Sequence, residues 1–291
     1  MPARDAQQTR APGEAGRERE RGLRYGLGSP AVESPLPASA ADITAYFDEL
    51  LQVDRFEDLG PNGLQVPGAK EVRTVVTGVS GQLELFERAA GQEAQLVLVH
   101  HGILWDFHPR RIDARQARRL KALLVHELSL AAYHLPLDAH PEHGNNALLA
   151  DGLGCETEGR EPFGRYRGQA IGVAARFPGD GVSIEELAER VARLTGREPL
   201  LLPYGPKRVR TIGIVSGAAA SSAQEAMARG LDAFLTGEPA EHVMADSREG
   251  GLHFIAAGHY ATETFGIRRL GELAAARFGV QHAFADIPNP I

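Results

Sequence analysis

The feature that most constrains the fold of this chain is an internal repeat. The segment VRTVVTGVSG (72–81) returns as VRTIGIVSG (209–217) with a single gap. After each copy comes a segment with helical spacing and then an apolar strand, LVLVHHG in the first copy and AFLTGEP in the second. Two such copies predict duplicated α/β halves. The alternative is that buried strands resemble one another without duplication.

Alternation of strands and helices supports the same fold class. Apolar runs at 72–80, 96–102 and 129–134 are typical of buried strands, and helical patterns lie between them. This order favours an α/β fold with parallel strand pairing. We therefore predict two α/β halves, the first at 39–155 and the second at 156–291.

The first 38 residues differ from the rest of the chain. They are polar, rich in Pro, Gly and Arg, and have neither helical nor strand periodicity. Such a composition predicts a disordered tail at 1–38. We expect the ordered chain to begin near Asp42, whose side chain can cap the first helix. The segment EDLGPNGLQVPG that follows this helix is expected to be a loop.

Composition excludes several classes of protein. The formal charge of −7 argues against a generally basic protein that coats nucleic acid, although arginine pairs at 110–111 and 118–119 leave a local basic patch possible. Cys155 is the single cysteine, which excludes an internal disulfide framework and fits a reducing cytoplasm. No run of 18 apolar residues is present, so no membrane span is expected.

Potential metal ligands gather where three predicted strands end. Each of these strand ends carries two imidazole or carboxylate groups, and ligands of open α/β sheets bind at the carboxyl ends of strands. If the strands are neighbours, four imidazoles and two carboxylates converge. The six groups are His100 and His101, His134 and Asp138, and His259 and Glu263.

Each pair also has a simpler interpretation. His100 and His101 can be a polar loop, Asp138 can bond backbone amides in a turn, and His259 and Glu263 can be an exposed pair on a helix. Their joint position at three strand ends nevertheless favours a metal site. His140 and His143, close to Asp138, are weaker candidates for acid or base catalysis or for support of the ligands.

The number of candidate ligands favours two metal ions. One catalytic zinc usually takes about three protein ligands, so six suit two divalent ions with a bridging carboxylate. Such a pair keeps positive charge, which favours a small anionic substrate such as a phosphate. Imidazole and carboxylate ligands fit Zn, Fe, Mn, Co or Ni without selecting among them.

At these residues the sequence resembles the GTP cyclohydrolase 1 type 2 homolog family, also called Nif-three-like dinuclear metal-centre proteins. The matching segments run in the family's order from residue 42 to 291: PNGLQV (61–66), LVLVHHG (96–102), AYHLPLDAH (132–140), GNNALLA (144–150), LTGE (235–238), AAGHYATE (256–263) and DIPNPI (286–291). One departure is Pro61, since the family usually has an acidic residue before Asn62.

The resemblance implies a dinuclear site in the cleft between the two halves. Its ligands would be His100, His101, Asp138, His259 and Glu263, with His134 ligating or close by. The resemblance also implies a homohexamer built as a toroid.

Two classes of function remain open from the sequence. The first is a metal-dependent hydrolase that acts on a nucleotide or another phosphorylated small molecule, with GTP ring opening as a special case. The second is a metal-binding regulator, store or interaction scaffold without enzymatic activity. Nucleic-acid binding is a third possibility, which the net charge of −7 disfavours.

Overall fold

The computed structural model describes residues 38–291, so the predicted tail lies outside the described residues up to position 37. Eleven strands form within 38–291: β1 (Gly63–Val66), β2 (Thr74–Ser80), β3 (Leu96–His101), β4 (Ser129–Ala132), β5 (Glu161–Tyr166), β6 (Gln169–Arg176), β7 (Leu200–Pro203), β8 (Thr211–Val215), β9 (Ala233–Thr236), β10 (His253–Ala256) and β11 (Gln281–Phe284).

Ten α-helices form in the same part of the chain. They are α1 (Ala40–Leu51), α2 (Leu83–Gly91), α3 (Ala114–Val125), α4 (Leu135–Ala139), α5 (Asn145–Leu153), α6 (Ile184–Thr195), α7 (Ala223–Ala228), α8 (Val243–Gly250), α9 (His259–Thr262) and α10 (Thr264–Phe278). Among these described helices, none has the length and apolar character needed to cross a bilayer.

The strands form two sheets with a shared core topology. The first sheet has the order β1-β4-β3-β2-β11, and the second has the order β5-β6-β8-β9-β10-β7. In each sheet three consecutive strands pair in parallel, and the strand that precedes them pairs antiparallel with the third. The series β1-β4-β3-β2 therefore matches β7-β10-β9-β8, which confirms the prediction of two α/β halves.

Helices cover both faces of each sheet. In the first sheet α1 and α10 pack on one face through residues such as Phe47 and Leu270, and α2 and α3 pack on the other through Phe86 and Leu123. In the second sheet α5 and α6 cover one face, and α7 and α8 cover the other. Burial on both faces explains why the parallel strands are continuous apolar runs.

The last part of the chain returns to the first sheet. Helix α10 packs against the apolar face of β2, and β11 extends the sheet by pairing in parallel with β2, with Gln281 beside Thr74. The division predicted at residue 155 separates the residues of the two sheets only as far as the end of α9. Beyond it, α10 packs on the first sheet and β11 belongs to it, although both follow the second sheet in sequence.

Two local predictions were wrong. Ser39, not Asp42, is the N-cap of α1: its Oγ accepts from the Asp42 amide at 3.1 Å, and the Asp42 carboxylate accepts from the Ser39 amide at 2.9 Å. This reciprocal pair is a capping box, in which the acid stands three residues after the cap. The predicted loop at 57–68 contains β1, a four-residue edge strand too short to show alternation.

Candidate metal centre

Three parallel strands bring the first set of histidines to one edge of the first sheet. His100 and His101 are the last residues of the central strand β3, and Ser80 of β2 lies beside His101 in register. His134 follows β4 by two residues and precedes α4, where Pro136 at the start of the helix has no amide proton to lose. One turn later, α4 presents the buried carboxylate of Asp138.

A sharp turn after β10 positions the ligands of the second half. Gly258 has a φ of 96°, and a Cβ there would lie 2.5 Å from Arg197 Nη1, so the position requires glycine. His259 then begins α9, and Glu263 joins α9 to α10. Gly217 after β8 leaves space for these side chains, because a Cβ there would lie 2.3 Å from Glu263 Oε1.

The Glu263 carboxylate lies at the middle of the group. Its Oε1 is 3.6 Å from His100 Nε2, and its Oε2 is 3.3 Å from His101 Nε2 and 3.1 Å from His259 Nε2. Asp138 Oδ2 lies 3.5 Å from His100 Nε2 on the far side. The two halves of the chain thus meet at one buried carboxylate, although β10 lies in the second sheet and is not a neighbour of β3 or β4.

Two sets of three ligand atoms are compact enough to hold an ion. His100, His101 and His134 form one set, and His101, His259 and Glu263 form the other, each with its ligand atoms within 4.8 Å of one another. His101 belongs to both sets. Asp138 lies outside these sets but faces His100.

Each of the four imidazoles makes a polar contact through its Nδ1 atom. His100 Nδ1 contacts the Tyr133 carbonyl at 2.8 Å, His101 Nδ1 contacts Ser80 Oγ at 3.2 Å, and His134 Nδ1 contacts Asp58 Oδ1 at 2.7 Å. His259 Nδ1 makes a close contact with Glu238. Histidines that bind metals almost always engage their second nitrogen in this way, which leaves Nε2 for the ion.

Two buried atoms at the centre have no hydrogen-bond partner among the described residues. They are His100 Nε2 and Glu263 Oε2. An unpaired buried polar atom costs roughly 1–3 kcal/mol, so such atoms are rare unless they serve an ion, water or ligand. The residues present therefore fit a divalent cation, which would contact both atoms.

The carboxylates draw positive charge into the centre. Burial favours the neutral ring of His100, but Asp138 and Glu263 outweigh it and hold the pKa of His100 well above its usual value. Burial also favours neutral His259, yet Glu263 and Glu238 raise the pKa of His259 to about 9. Protonation of His100 and His259 would therefore compete with binding of a cation.

The pKa values of His101 and Glu263 are shifted downwards, in contrast to those of His100 and His259. Burial and the charges of three neighbouring histidines lower the pKa of His101 to about 3, against the attraction of Glu263. Burial opposes ionisation of Glu263, but the charge of His100 and the close polar contacts of His100 and His259 hold its pKa well below its usual value. Glu263 is therefore an anion, and the Nε2 lone pair of His101 is free to bind a metal.

His140 and His143 lie together in the turn after α4. Their rings stack with centroids 4.8 Å apart and an interplanar angle of 3°. His140 Nδ1 accepts from the amides of Glu142 and His143, so it stabilises this turn. His140 also lines a cavity of about 650 Å³ that reaches Asp138.

Sequence reasoning missed the groups that hold the ligands. Asp58 accepts from His134 Nδ1 at 2.7 Å and from Asn62 Nδ2 at 3.0 Å, so one carboxylate fixes both side chains. Asp138 Oδ1 accepts from Asn145 at 2.8 Å and from Ser216 Oγ at 3.0 Å. The recurrence of a serine at the end of each repeat, in VTGVS and GIVS, is the one sequence signal for Ser80 and Ser216.

Comparison with known proteins gives a consistent family. The model of the Duf34/NIF3 family (NGG1p interacting factor 3) matches residues 38–290. The GTP cyclohydrolase 1 type 2 homolog of Pseudomonas aeruginosa is 42% identical over 243 residues, which cover 84% of this chain and 95% of that protein.

Solved structures give the same match. A protein named ybgI, of unknown function, is similar with a TM-score of 0.82 and 37% identity, over 87% of this chain and 100% of that one. The protein TTHA1606 from Thermus thermophilus has a TM-score of 0.78 and 36% identity over the same shares.

Proposed function

The chain belongs to the Duf34/NIF3 family, and we propose that it is a metal-dependent hydrolase of a nucleotide or another phosphorylated small molecule. The observation that carries the proposal is the buried pair of atoms without a hydrogen-bond partner among the described residues, His100 Nε2 and Glu263 Oε2, beside four imidazoles that belong to two compact ligand sets. When bound, divalent ions would supply Lewis-acid polarisation of a phosphoryl oxygen and activation of water at neutral pH.

We propose two ions for each chain, with Glu263 as the bridge. Its two oxygens face different imidazoles, Oε1 towards His100 and Oε2 towards His101 and His259. Asp138 and His134 would complete the ligand set on the side of His100. The donor set fits Zn, Fe, Mn, Co or Ni.

The residues around the centre would orient an anionic substrate. Two carboxylates do not neutralise two divalent ions, so the centre keeps a net attraction for phosphate. Asp138 is fixed by Asn145 and Ser216, which keeps its Oδ2 aimed at His100. His140 lines the cavity that reaches Asp138 and is the acid or base candidate on that side.

The names of the relatives suggest the first substrate to assay. Several curated relatives are named GTP cyclohydrolase 1 type 2 homolog, so GTP comes first, followed by nucleoside phosphates and simple phosphoesters. We expect turnover by metal-loaded protein that disappears in Asp138→Ala and Glu263→Ala. Glu272→Ala, an exposed glutamate of α10, is the matched control and should keep wild-type turnover.

A different outcome would favour the non-enzymatic function. If the protein binds its metals but turns over none of these compounds, a metal-binding regulator or scaffold becomes the better proposal. Turnover that survives in both Asp138→Ala and Glu263→Ala would place the chemistry elsewhere.

We also propose a homohexamer and a cytoplasmic location. The family resemblance implies the hexamer, and a single free, buried cysteine is compatible with a reducing compartment. Sedimentation at micromolar concentration should give a mass of about six chains. A monomer at that concentration would overturn the assembly proposal.

A further inference from the structure

An aromatic residue forms one wall of the metal centre. The ring of Trp105 lies 5.2 Å from the ring of His134 in an edge-to-face arrangement and 6.0 Å from the ring of His101. Its Nε1 donates to the Gly102 carbonyl at 3.1 Å, which fixes the indole against the end of β3. Trp105 therefore marks the side of the centre that faces the loop at 104–113.

Phe107 continues this wall outwards. It stacks on Trp105 with centroids 5.6 Å apart and an interplanar angle of 22°. Phe107 is 65% exposed, so one side of a stacked aromatic pair faces solvent. Another flat aromatic group is the partner that suits such a surface best.

Basic side chains line a cavity that borders the aromatic wall, defined as Trp105 and Phe107, at Trp105. Arg110, Arg111 and Arg115 line a cavity of about 920 Å³ together with Trp105 and His108. Within the described residues, Arg110 and Arg111 form no ion pair, whereas Arg115 lies 3.8 Å from Asp113. The cavity, which Asp106 and Asp113 also line, thus brings the unpaired positive charge of Arg110 and Arg111 beside the aromatic wall, in a chain whose net charge is −7.

We propose that the aromatic wall and this cavity together form a subsite for a nucleoside 5′-phosphate, with the base stacked on the exposed ring of Phe107 and the phosphate in the cavity, held by Arg110 and Arg111 on the side of the metal centre that Trp105 borders. A base supplies the flat aromatic group, and a phosphate supplies the charge that the arginines lack. This subsite rests on the proposed function, because the metal centre would set the direction of the phosphate. It also deepens that function, because it selects nucleotides over phosphorylated compounds that have no base.

Three probes separate the two parts of the subsite. Guanosine 5′-monophosphate has both base and phosphate, guanosine has the base alone, and ribose 5-phosphate has the phosphate alone. Trp105 is the single tryptophan of the chain, so its fluorescence reports on this wall directly. Calorimetry with the metal-loaded protein gives the dissociation constants.

Phe107→Ala should weaken binding of guanosine 5′-monophosphate by about tenfold or more, because base–aromatic stacking is lost. The affinity for ribose 5-phosphate should not change. Leu200→Ala, which truncates an exposed apolar side chain on β7, is the matched control and should bind all three probes as the wild type does. Equal affinities of Phe107→Ala and wild type for the nucleotide would overturn the proposal.

The double change Arg110→Gln and Arg111→Gln tests the charged part. It should weaken guanosine 5′-monophosphate and ribose 5-phosphate by the same factor and leave guanosine unaffected. Arg176→Gln, an exposed arginine at the end of β6, serves as its control. A loss confined to guanosine would contradict the assignment of these arginines to the phosphate.

Two further outcomes distinguish this inference from its alternatives. If Phe107→Ala changes the sedimentation coefficient but not nucleotide affinity, the wall is a contact between subunits and the subsite is refuted. If the protein hydrolyses phosphoesters without a base and Phe107→Ala has no effect on any probe, the hydrolase stands and the subsite falls. If nucleotide binding depends on Phe107 but no compound is hydrolysed, the subsite stands and the hydrolase is refuted.

Discussion

The two sheets share a strand order but differ in the chemistry at their strand ends. In the first sheet, the middle strand β3 ends in His100 and His101, both metal-ligand candidates. In the second sheet the equivalent strand β9 ends at Thr236 and leads to Glu238, which contacts His259 Nδ1 and belongs to neither candidate ligand set. The third strands are more alike, since β4 leads to His134 and β10 leads to His259.

The comparison of the two sheets shows which features the repeat shares and which differ between the halves. The repeated frame brings strand ends together and keeps a serine at the end of each first strand. Ser80 contacts His101 within its own half, whereas Ser216 donates to Asp138 of the other half. Duplication thus sets positions, and the side chains at those positions divide between binding and supporting roles.

The largest effect should come from the residue that joins the two halves. Glu263→Ala should weaken both ions by more than the roughly 10–100-fold that removal of a supporting residue costs, because each carboxylate oxygen faces a different ligand set. Elemental analysis after reconstitution with Zn or Mn gives the stoichiometry, with about two ions expected in the wild type. Circular dichroism should remain near native.

Glu272→Ala is again the control, since its side chain is exposed on α10. Full occupancy by two ions in folded Glu263→Ala would assign the bridge to the wrong carboxylate, and Asp138 would be the next candidate. A ceiling of one ion in the saturated wild type would refute the dinuclear proposal itself.

A smaller effect should follow from His134→Ala. His134 belongs to one of the two ligand sets, and one imidazole nitrogen binds one ion. We expect this variant to lose at most one ion per chain, as measured by titration against a chelator. Loss of both ions would give His134 a role equal to that of Glu263.

The supporting acids of the two halves provide a direct comparison. Asp58→Asn acts behind His134, and Glu238→Gln acts behind His259. Each should reduce metal affinity by roughly 10–100-fold. Asp54→Asn, an exposed acid close to Asp58 in sequence, should have no such effect. If only one of the two variants loses affinity, support is concentrated in that half.

The pH dependence of metal binding should come more from His259 than from His101. His259, with a pKa of about 9, must release a proton below that pH, whereas His101, with a pKa of about 3, is already neutral. Apparent zinc affinity should therefore rise with pH, by up to about tenfold per unit for each proton released, and His100, whose pKa is also raised, adds to this rise. His259→Ala should flatten the curve more than His101→Ala, and equal slopes would contradict this difference.

The smallest effect should come from the N-terminal residues. A chain shortened to begin at Ala38 should keep metal content, sedimentation behaviour and melting temperature. A chain that begins at Ala40 lacks the Ser39 cap and the bond from the Val72 amide to the Ala38 carbonyl. It should lose about 1 kcal/mol of unfolding free energy. A loss of metal from the longer of the two chains would show that the tail has a role.

The parts of the fold that sequence could predict are those with strong local patterns. Buried strands such as β2, β3 and β8 are continuous apolar runs, and α6 has residues typical of helix ends at both termini: Ser183 Oγ accepts from the Glu186 amide, and Gly196 is the C-cap. Edge strands such as β1 and β7 are four residues long and partly exposed, so they carry no periodic signal. Strand β11 depends on pairing with a distant strand.

In the candidate metal centre, too, only residues with a strong local sequence pattern could be predicted. The ligand candidates could be found because imidazoles and carboxylates stand out at strand ends. Asp58 and Glu238 could not, because their roles depend on which loops pack behind His134 and His259. Trp105 lies four residues after His101, but only the folded loop shows that its ring turns back to the centre.

The return of the last strand to the first sheet has a consequence for the order of events during synthesis. Strands β2, β3 and β4 leave the ribosome with His100, His101 and His134, while β11 and Glu263 follow about 200 residues after β2. At usual translation rates this interval is roughly 10–40 s. During that time one edge of β2 has no partner, and three imidazoles lack the carboxylate that completes their site. Completion of the candidate metal centre and closure of the first sheet therefore both depend on residues that are made late in synthesis.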